Sequence, residues 1–596
     1  MKGALHVNAV GALIAVVLLS VGVGTPDRTI LDAASQGDVE TLRVLIQNGA
    51  DVNAARGDGM TALHWAAERR DAEMAELLIE AGADLEAETR IGAYRPLHLA
   101  SRAGSGAVVE LLLEAGSDAG AKTSNSGTLP IHMAAAAGNP YAIRALVAFG
   151  SDVDAREGSW GQTPLVFAAA NDRVEAIRTL LELGADPAVT THVVDVPSRA
   201  AADQKANVRL QEVLDEFREE EGGDDDSWEP TPAQVEVAIR AARDVQRNAD
   251  VEEVGEYEEE EVDEDAVPRY PDLVGTWGGL TPLLHATRQG HRDAAFALLE
   301  GGADINQVSA GDGTSPLLLA TLNGHFDLAG LLLDRGADPN LPSDAGATPL
   351  YVAIEREWAP RASYAHPLNH YRQNTTYLDL MEKLLEAGAD PNVRLEKHLW
   401  YMQYTFDVLR INTTGATPFW RAAFATDVAA MKLLVAYGAD PHVATLRVPE
   451  RRRGYGDDDD GDQSGVPPVP VGGPSVHPIH AASGVGYGEG FAANAHRHVP
   501  DGWLPAVKYL VEEVGADVNA RDHNAYTALH HAASRGDNEL VRYLVEQGAD
   551  VTVVSRSGQT TADMANGPYQ RIQPFPRTVA LLEELGAQNN DNCVSC

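Results

Sequence analysis

Residues 58–87 read DGMTALHWAAERRDAEMAELLIEAGADLEA, and this stretch decides the fold. Thr61 opens a helix-forming run, where its hydroxyl can accept a backbone N–H of the first turn. Ala66 and Ala67 keep one face of that helix thin, so a partner helix can come close. Met74, Leu77 and Leu78 follow at helical spacing and form an apolar stripe on a second helix. Gly82 supplies the left-handed residue that ends this helix, and Asp84 begins the turn into the next unit. One such pair of short helices cannot hide its own stripe.

The same punctuation recurs along the chain. Gly49-Ala50-Asp51, Gly184-Ala185-Asp186, Gly336-Ala337-Asp338 and Gly548-Ala549-Asp550 repeat the ending. Arg95-Pro96-Leu97-His98, Leu129-Pro130-Ile131-His132 and Thr163-Pro164-Leu165 repeat the opening, and Thr61, Arg95, Leu129 and Thr163 stand 34 residues apart. Proline after the opening residue (Pro164, Pro282, Pro316, Pro349, Pro418) suits the first helical position, where no hydrogen bond is lost. A period of this size means a stacked array in which each unit buries its stripe on its neighbours. Such an array offers a long surface, not a closed catalytic pocket. The period gives about twelve units, starting near Asp27, Asp58, Ile91, Ser126, Trp160, Trp277, Asp312, Ala345, Thr414, Pro474, His523 and Ser557. The last departs from the pattern at Thr560-Thr561-Ala562-Asp563 and at Gln588, as a capping unit does.

The T-P-L-H-x-A-A and L-L-x-x-G-A-D-x-N elements, with this period, resemble the ankyrin repeat over most of residues 27–588. The resemblance implies an all-α solenoid of about twelve helix-turn-helix units with hairpin-like loops. It also implies a non-enzymatic protein-binding role, carried by the hairpin tips and inner helices on the concave side. Carried over by repeat position, that nominates Met60, Glu68, Arg69, Tyr94 and Arg102 in the early units. Gln162, Asn171, Leu280, Arg288 and Gln289 follow in the middle, and Tyr526 and Arg535 near the end. By the same resemblance the histidine of T-P-L-H (His64, His98, His132, His480, His530) is structural, bonding one unit to the next.

The formal net charge is −42 over 596 residues, part of it in the runs Glu219–Asp226, Glu252–Asp265 and Asp457–Asp462. Duplex binding draws its affinity from Lys and Arg on phosphate, so this balance argues against nucleic acid. Arg451-Arg452-Arg453 is followed at once by acidic residues and reads as a self-compensating loop. Lys2, the uncharged run Val10–Val23 and the small residues Gly22 and Gly24 read as a secretory signal over residues 1–24. The expectation is a bacterial periplasmic or secreted protein with no stable membrane insertion once the signal is cut.

Repeats then occupy residues 25–189 and 277–588, separated by an acidic insertion at 190–276. In that insertion helices are expected at Lys205–Glu219 and Pro232–Asn248, with a tail from Val251 to Asp265 too polar to fold. Shorter insertions fall at 357–376, 394–413, 445–473 and 484–503, and residues 589–596 form a polar tail. The segment 445–473, charged and then Pro/Gly-rich, reads as a flexible loop. In 484–503 the aromatics Tyr487, Phe491 and Trp503 either meet a partner or pin the loop to the array.

A second function class rests on the histidines His477, His480, His496, His498, His523, His530 and His531 and on the terminal Cys593-Val594-Ser595-Cys596. His496 and His498 could bind zinc or copper if a third ligand converged, making a metal- or redox-linked protein. With no histidine after Cys596 in this sequence, covalent haem is not expected, and a local Cys593–Cys596 disulfide is the expected state. No nucleophile elbow, zinc-protease or phosphate-loop motif is present, and no cofactor is implied.

Overall fold

The structure, a computed structural model, describes residues 29–221, 228–251, 269–359, 368–399, 411–449, 461–487, 497–568 and 572–594. The secretory signal, the acidic tail of the long insertion, Phe491 and His496 lie outside them. The chain divides into two compact units, residues 1–152 and 153–596.

Among the described residues the first unit holds four helix pairs, beginning with Ile30–Gln36 and Val39–Gln47 and ending with Pro130–Ala137 and Pro140–Ala148. The second holds eight more, from Pro164–Ala170 with Val174–Glu182 to Thr561–Ala565 with Pro576–Glu584. The repeat period therefore counted the helix pairs correctly. Second helices are opened by short polar caps: Asp38 accepts from Thr41 N, Asp71 from Met74 N and Asn139 from Ala142 N. Gly82, at φ +84°, ends its helix as the pattern required.

Packing within the pair Ala62–Arg69 and Ala72–Glu80 is carried by Leu63, Ala66, Ala67, Met74, Ala75 and Leu78, all fully buried. Leu77, expected beside Leu78 in the seam, is only half-buried. The helix turns 100° per residue, so adjacent leucines cannot both face the neighbouring pair.

The long insertion is clasped at its base. Val193–Asp195 pairs antiparallel with Thr276–Gly278, the one sheet among the described residues. Between these strands stand helices Val196–Glu221 and Pro232–Val251, packed on each other through Ala206, Val213, Ala238 and Ala242. The first begins nine residues before the expected Lys205, because Asp195 caps it by accepting from Ser198 N at 2.9 Å. Below the clasp the array is uninterrupted. His291 Nε2 meets Ala170 O at 3.2 Å, and Ala294 N donates to Asp172, so the pair Pro282–Gln289 and Arg292–Glu300 stacks on the pair before the insertion.

Candidate interaction surface

The recurrent histidine spans two repeats. The Thr61 backbone N–H donates to His64 Nδ1 at 3.1 Å, so Nδ1 carries no proton. Nε2 must then hold it, and it donates to Tyr94 O of the next repeat at 3.0 Å. His98 joins Arg95 N to Ala121 O, and His480 joins His477 N to Ala520 O, through the same two ring nitrogens, here reaching the loop that closes their own repeats. The Thr61 hydroxyl is thereby drawn to the ring at 2.8 Å instead of to the helix backbone. The hydroxyl cap expected there is found where histidine is missing: Thr281 accepts from Leu284 N and Thr417 from Trp420 N.

These bridges hold the loops and inner helices in fixed order, and the nominated residues sit on them unequally. In the first unit Glu68, Arg69 and Arg102 are exposed at the ends of their inner helices. Arg102 pairs with Glu68 at 3.1 Å and lies over the half-buried Tyr94 ring, and Arg69 donates to Ser35 O. Met60 is half-buried in the loop before them. In the second unit Arg288 and Gln289 are exposed, and Gln162 and Leu280 are half-buried. Asn171 is exposed, with its amide tied to Phe167 O.

Near the C-terminal end the expectation fails for two residues. Tyr526 is 8% exposed, packed edge-on to His530 and His531, and donates to Gln559. Arg535 lies flat over Trp503 at 3.7 Å and holds Ser483 O and Asp537. Both follow the tip and inner-helix pattern in sequence, but Trp503 of the insertion lies against Arg535, while His530, His531 and Gln559 enclose Tyr526. Tyr487 and Trp503 are half-buried, so in the described part of this insertion packing on the array is what the aromatics do.

The histidine group is likewise occupied. His480 and His531 face each other with ring centres 5.7 Å apart, and His531 Nε2 lies 3.2 Å from the buried Asp522 carboxylate. His498 packs at a tilt against Trp503, with ring centres 4.4 Å apart, and bonds Val499 O. Among the described residues no three His, Cys, Asp or Glu side chains are placed to hold a metal ion. Cys593 is disulfide-bonded, and Cys596 is the only other cysteine in the chain.

Two tip features escaped the sequence reading. Trp160 and Trp277, which mark repeat starts in the sequence, meet at a tilt of 48° with ring centres 5.7 Å apart while 47% and 44% exposed. Trp277 sits on the clasp strand and Trp160 O accepts from His192 N at 2.8 Å, so both residues are anchored through their backbones. The usable signal was a tryptophan at two repeat starts where others carry Asp58, Ile91, Ser126, Asp312, Ala345, Thr414 or Ser557. The second feature is a described part of the 445–473 insertion. Its feet are joined at Leu446 and Pro474, and residues 461–474 run across the loops that carry Arg521 and Arg556.

Residues 11–89, 30–123, 97–191, 283–395 and 495–566 match the family described as ankyrin repeats in three copies. The chain belongs to the ankyrin-repeat family. Over 64 residues it is 45% identical to the rat ankyrin repeat and SAM domain-containing protein 6, covering 11% of this chain and 7% of that protein. Over 80 residues it is 37% identical to human protein phosphatase 1 regulatory subunit 27, covering 13% of this chain and 51% of that protein. This ankyrin-repeat chain thus spans about half or less of the length of these relatives. The human ASB11 ankyrin repeat domain aligns at 23% identity and a TM-score of 0.31, over 49% of this chain and 90% of that one. Among the described residues no helix is long and apolar enough to cross a membrane.

Proposed function

We propose that this ankyrin-repeat chain is a non-enzymatic scaffold that binds another protein through its hairpin tips and inner helices. The observation that carries this reading is the exposed Trp160–Trp277 pair. Tryptophan is enriched among the residues that dominate interface energy. Each ring, on an anchored backbone and half in water, has roughly 100 Å² left to bury, about 2–3 kcal/mol at the usual coefficient. Relatives named as regulatory subunits of a phosphatase support a role played on another protein.

Export to the bacterial periplasm or medium is part of the same proposal and rests on Lys2 and the apolar run Val10–Val23. N-terminal sequencing of the protein from fractionated cells should begin near Thr25, and an intact Met1 in the cytosolic fraction would overturn export.

The binding test is crosslinked capture of the natural chain beside a W160A/W277A variant. The captured partner should fall at least tenfold in the variant, about 1.4 kcal/mol, while the melting temperature moves by less than about 2 °C. Equal capture from both chains would remove the tryptophans from the interface.

A further inference from the structure

Arg556 lies in the loop before helix Thr561–Ala565, and both terminal nitrogens of its guanidinium are spent on a single extended segment. Nη1 pairs with Asp462 and reaches Ser464 Oγ at 3.4 Å and Val466 O at 3.1 Å. Nη2 donates to Pro467 O at 2.8 Å, and Nε holds His523 O of the preceding loop at 2.7 Å. Arg521, one loop earlier, donates to Ser464 O at 3.0 Å, and Gln463 N donates to Arg556 O at 3.2 Å. Two hairpin tips therefore grip one carboxylate, one hydroxyl and a run of backbone carbonyls.

The segment gives little in return. Between Gly461 and Pro474 only Ser464 is buried, and no apolar side chain is. The Asp462–Arg556 pair is partly open to water, a setting in which an ion pair contributes little. A peptide held chiefly by polar anchors, with Val466 and Val469 only half-buried, on the tips this fold leaves available, is built like a ligand and not like a core element. Its feet, at Leu446 and Pro474, hold it close to the site. A short tether supplies an effective concentration in the millimolar range. Weak contacts then suffice to keep the site filled.

We propose that residues 461–471 are an internal ligand, occupying a peptide site on Arg521 and Arg556 that otherwise takes an extended partner segment with an Asp a few residues before a proline. The proposal rests on the scaffold reading above and names the chemistry its second site accepts. A partner segment that adds the apolar contacts the internal one lacks displaces it.

The test uses the full chain and a labelled peptide, GDQSGVPPVPV, the sequence of residues 461–471. In one variant those residues are replaced by an all-glycine run of equal length. The replaced chain should bind the probe at least tenfold more tightly than the natural chain, whose site is filled. Adding R556A to the replaced chain should abolish that gain, and a probe carrying Asp462→Asn should bind more weakly. Probe binding no better than to the natural chain, or unchanged by R556A, overturns the proposal. A replaced chain without a cooperative melting transition overturns it too, because the segment is then structural. So does a natural dimer abolished by the replacement, which would give the site to a second copy. Because the probe reads the site directly, its failure alongside tryptophan-dependent capture leaves the scaffold reading standing.

Discussion

The imidazole of the T-x-x-H opening does the work of a cap and a staple at once. Burial holds the His98 ring down at about 4 and the His480 ring at about 3, against about 6.5 in an unfolded chain. Between those values the unfolded chain binds protons that the fold refuses. Stability from a buried ring is therefore full above pH 6.5 and declines as pH falls toward the folded value. One ring gives a slope of about 1.4 kcal/mol per pH unit. In urea unfolding of the first unit, H98L should be less stable at neutral pH, and its decline between about pH 6.5 and 4 should be shallower by that amount. Parallel declines would mean that His98 is protonated in the fold. Tyr526 makes the contrast with the surface residues. Y526A removes a buried ring and should cost about 3–5 kcal/mol, whereas R102A breaks an exposed pair and should stay within about 1 kcal/mol. Thermal unfolding that ranks the two the other way would return Tyr526 to the docking residues. The sequence showed that these positions were special without showing which were covered, since the covers are distant in the chain: Gln559 of the next repeat at Tyr526, and Trp503 of a separate insertion at Arg535.

At the scale of the helix pair, most of the fold was legible because each boundary is marked by a residue with one local job. Gly82 must turn left-handed, Asp71 must cap, and the small Ala66 and Ala67 must admit a neighbour. The apolar stripe was legible in kind and one residue too wide. L78A should cost about 2–5 kcal/mol, while L77A, at a half-buried position, should cost less than half as much. Equal losses would show that the helix is rotated relative to its neighbours. The insertions were harder to read, because their structure comes from contacts distant in sequence. Residues 461–474 have the composition of a free loop, yet Arg521 and Arg556 fix them from as far as 94 residues away. Asp195 could have been found as a cap, since Pro197 and Ser198 follow it in the first turn. The Trp160–Trp277 contact joins residues separated by the whole long insertion, so no window of sequence contains it.

For the molecule as a whole, a repeat array is stabilised by nearest-neighbour contacts, so an insertion matters only if it separates neighbours. The longest one does not. Asp195 and Thr276 are paired residues on adjacent antiparallel strands, and such partners lie about 5 Å apart. Everything from Val196 to Gly275 is therefore, in terms of geometry, the loop of a β-hairpin. A two-residue turn closes a hairpin of this kind, and Asn-Gly favours the twist the strands need. Replacing residues 196–275 with Asn-Gly should leave the helix pairs on either side stacked through His291 and Ala170. The shortened chain should keep a cooperative melting transition within about 5 °C of the natural one, since about 1 kcal/mol is all a well-formed turn and a lost, self-packed helical hairpin should exchange. The three removed helices, Val196–Glu221, Pro232–Val251 and Tyr270–Val274, pack chiefly on one another and on the clasp strands, so few array contacts leave with them. Circular dichroism during heating reads this outcome directly. Two separated transitions would show that the helical hairpin braces the array, and that the clasp alone does not keep the fifth and sixth repeats together.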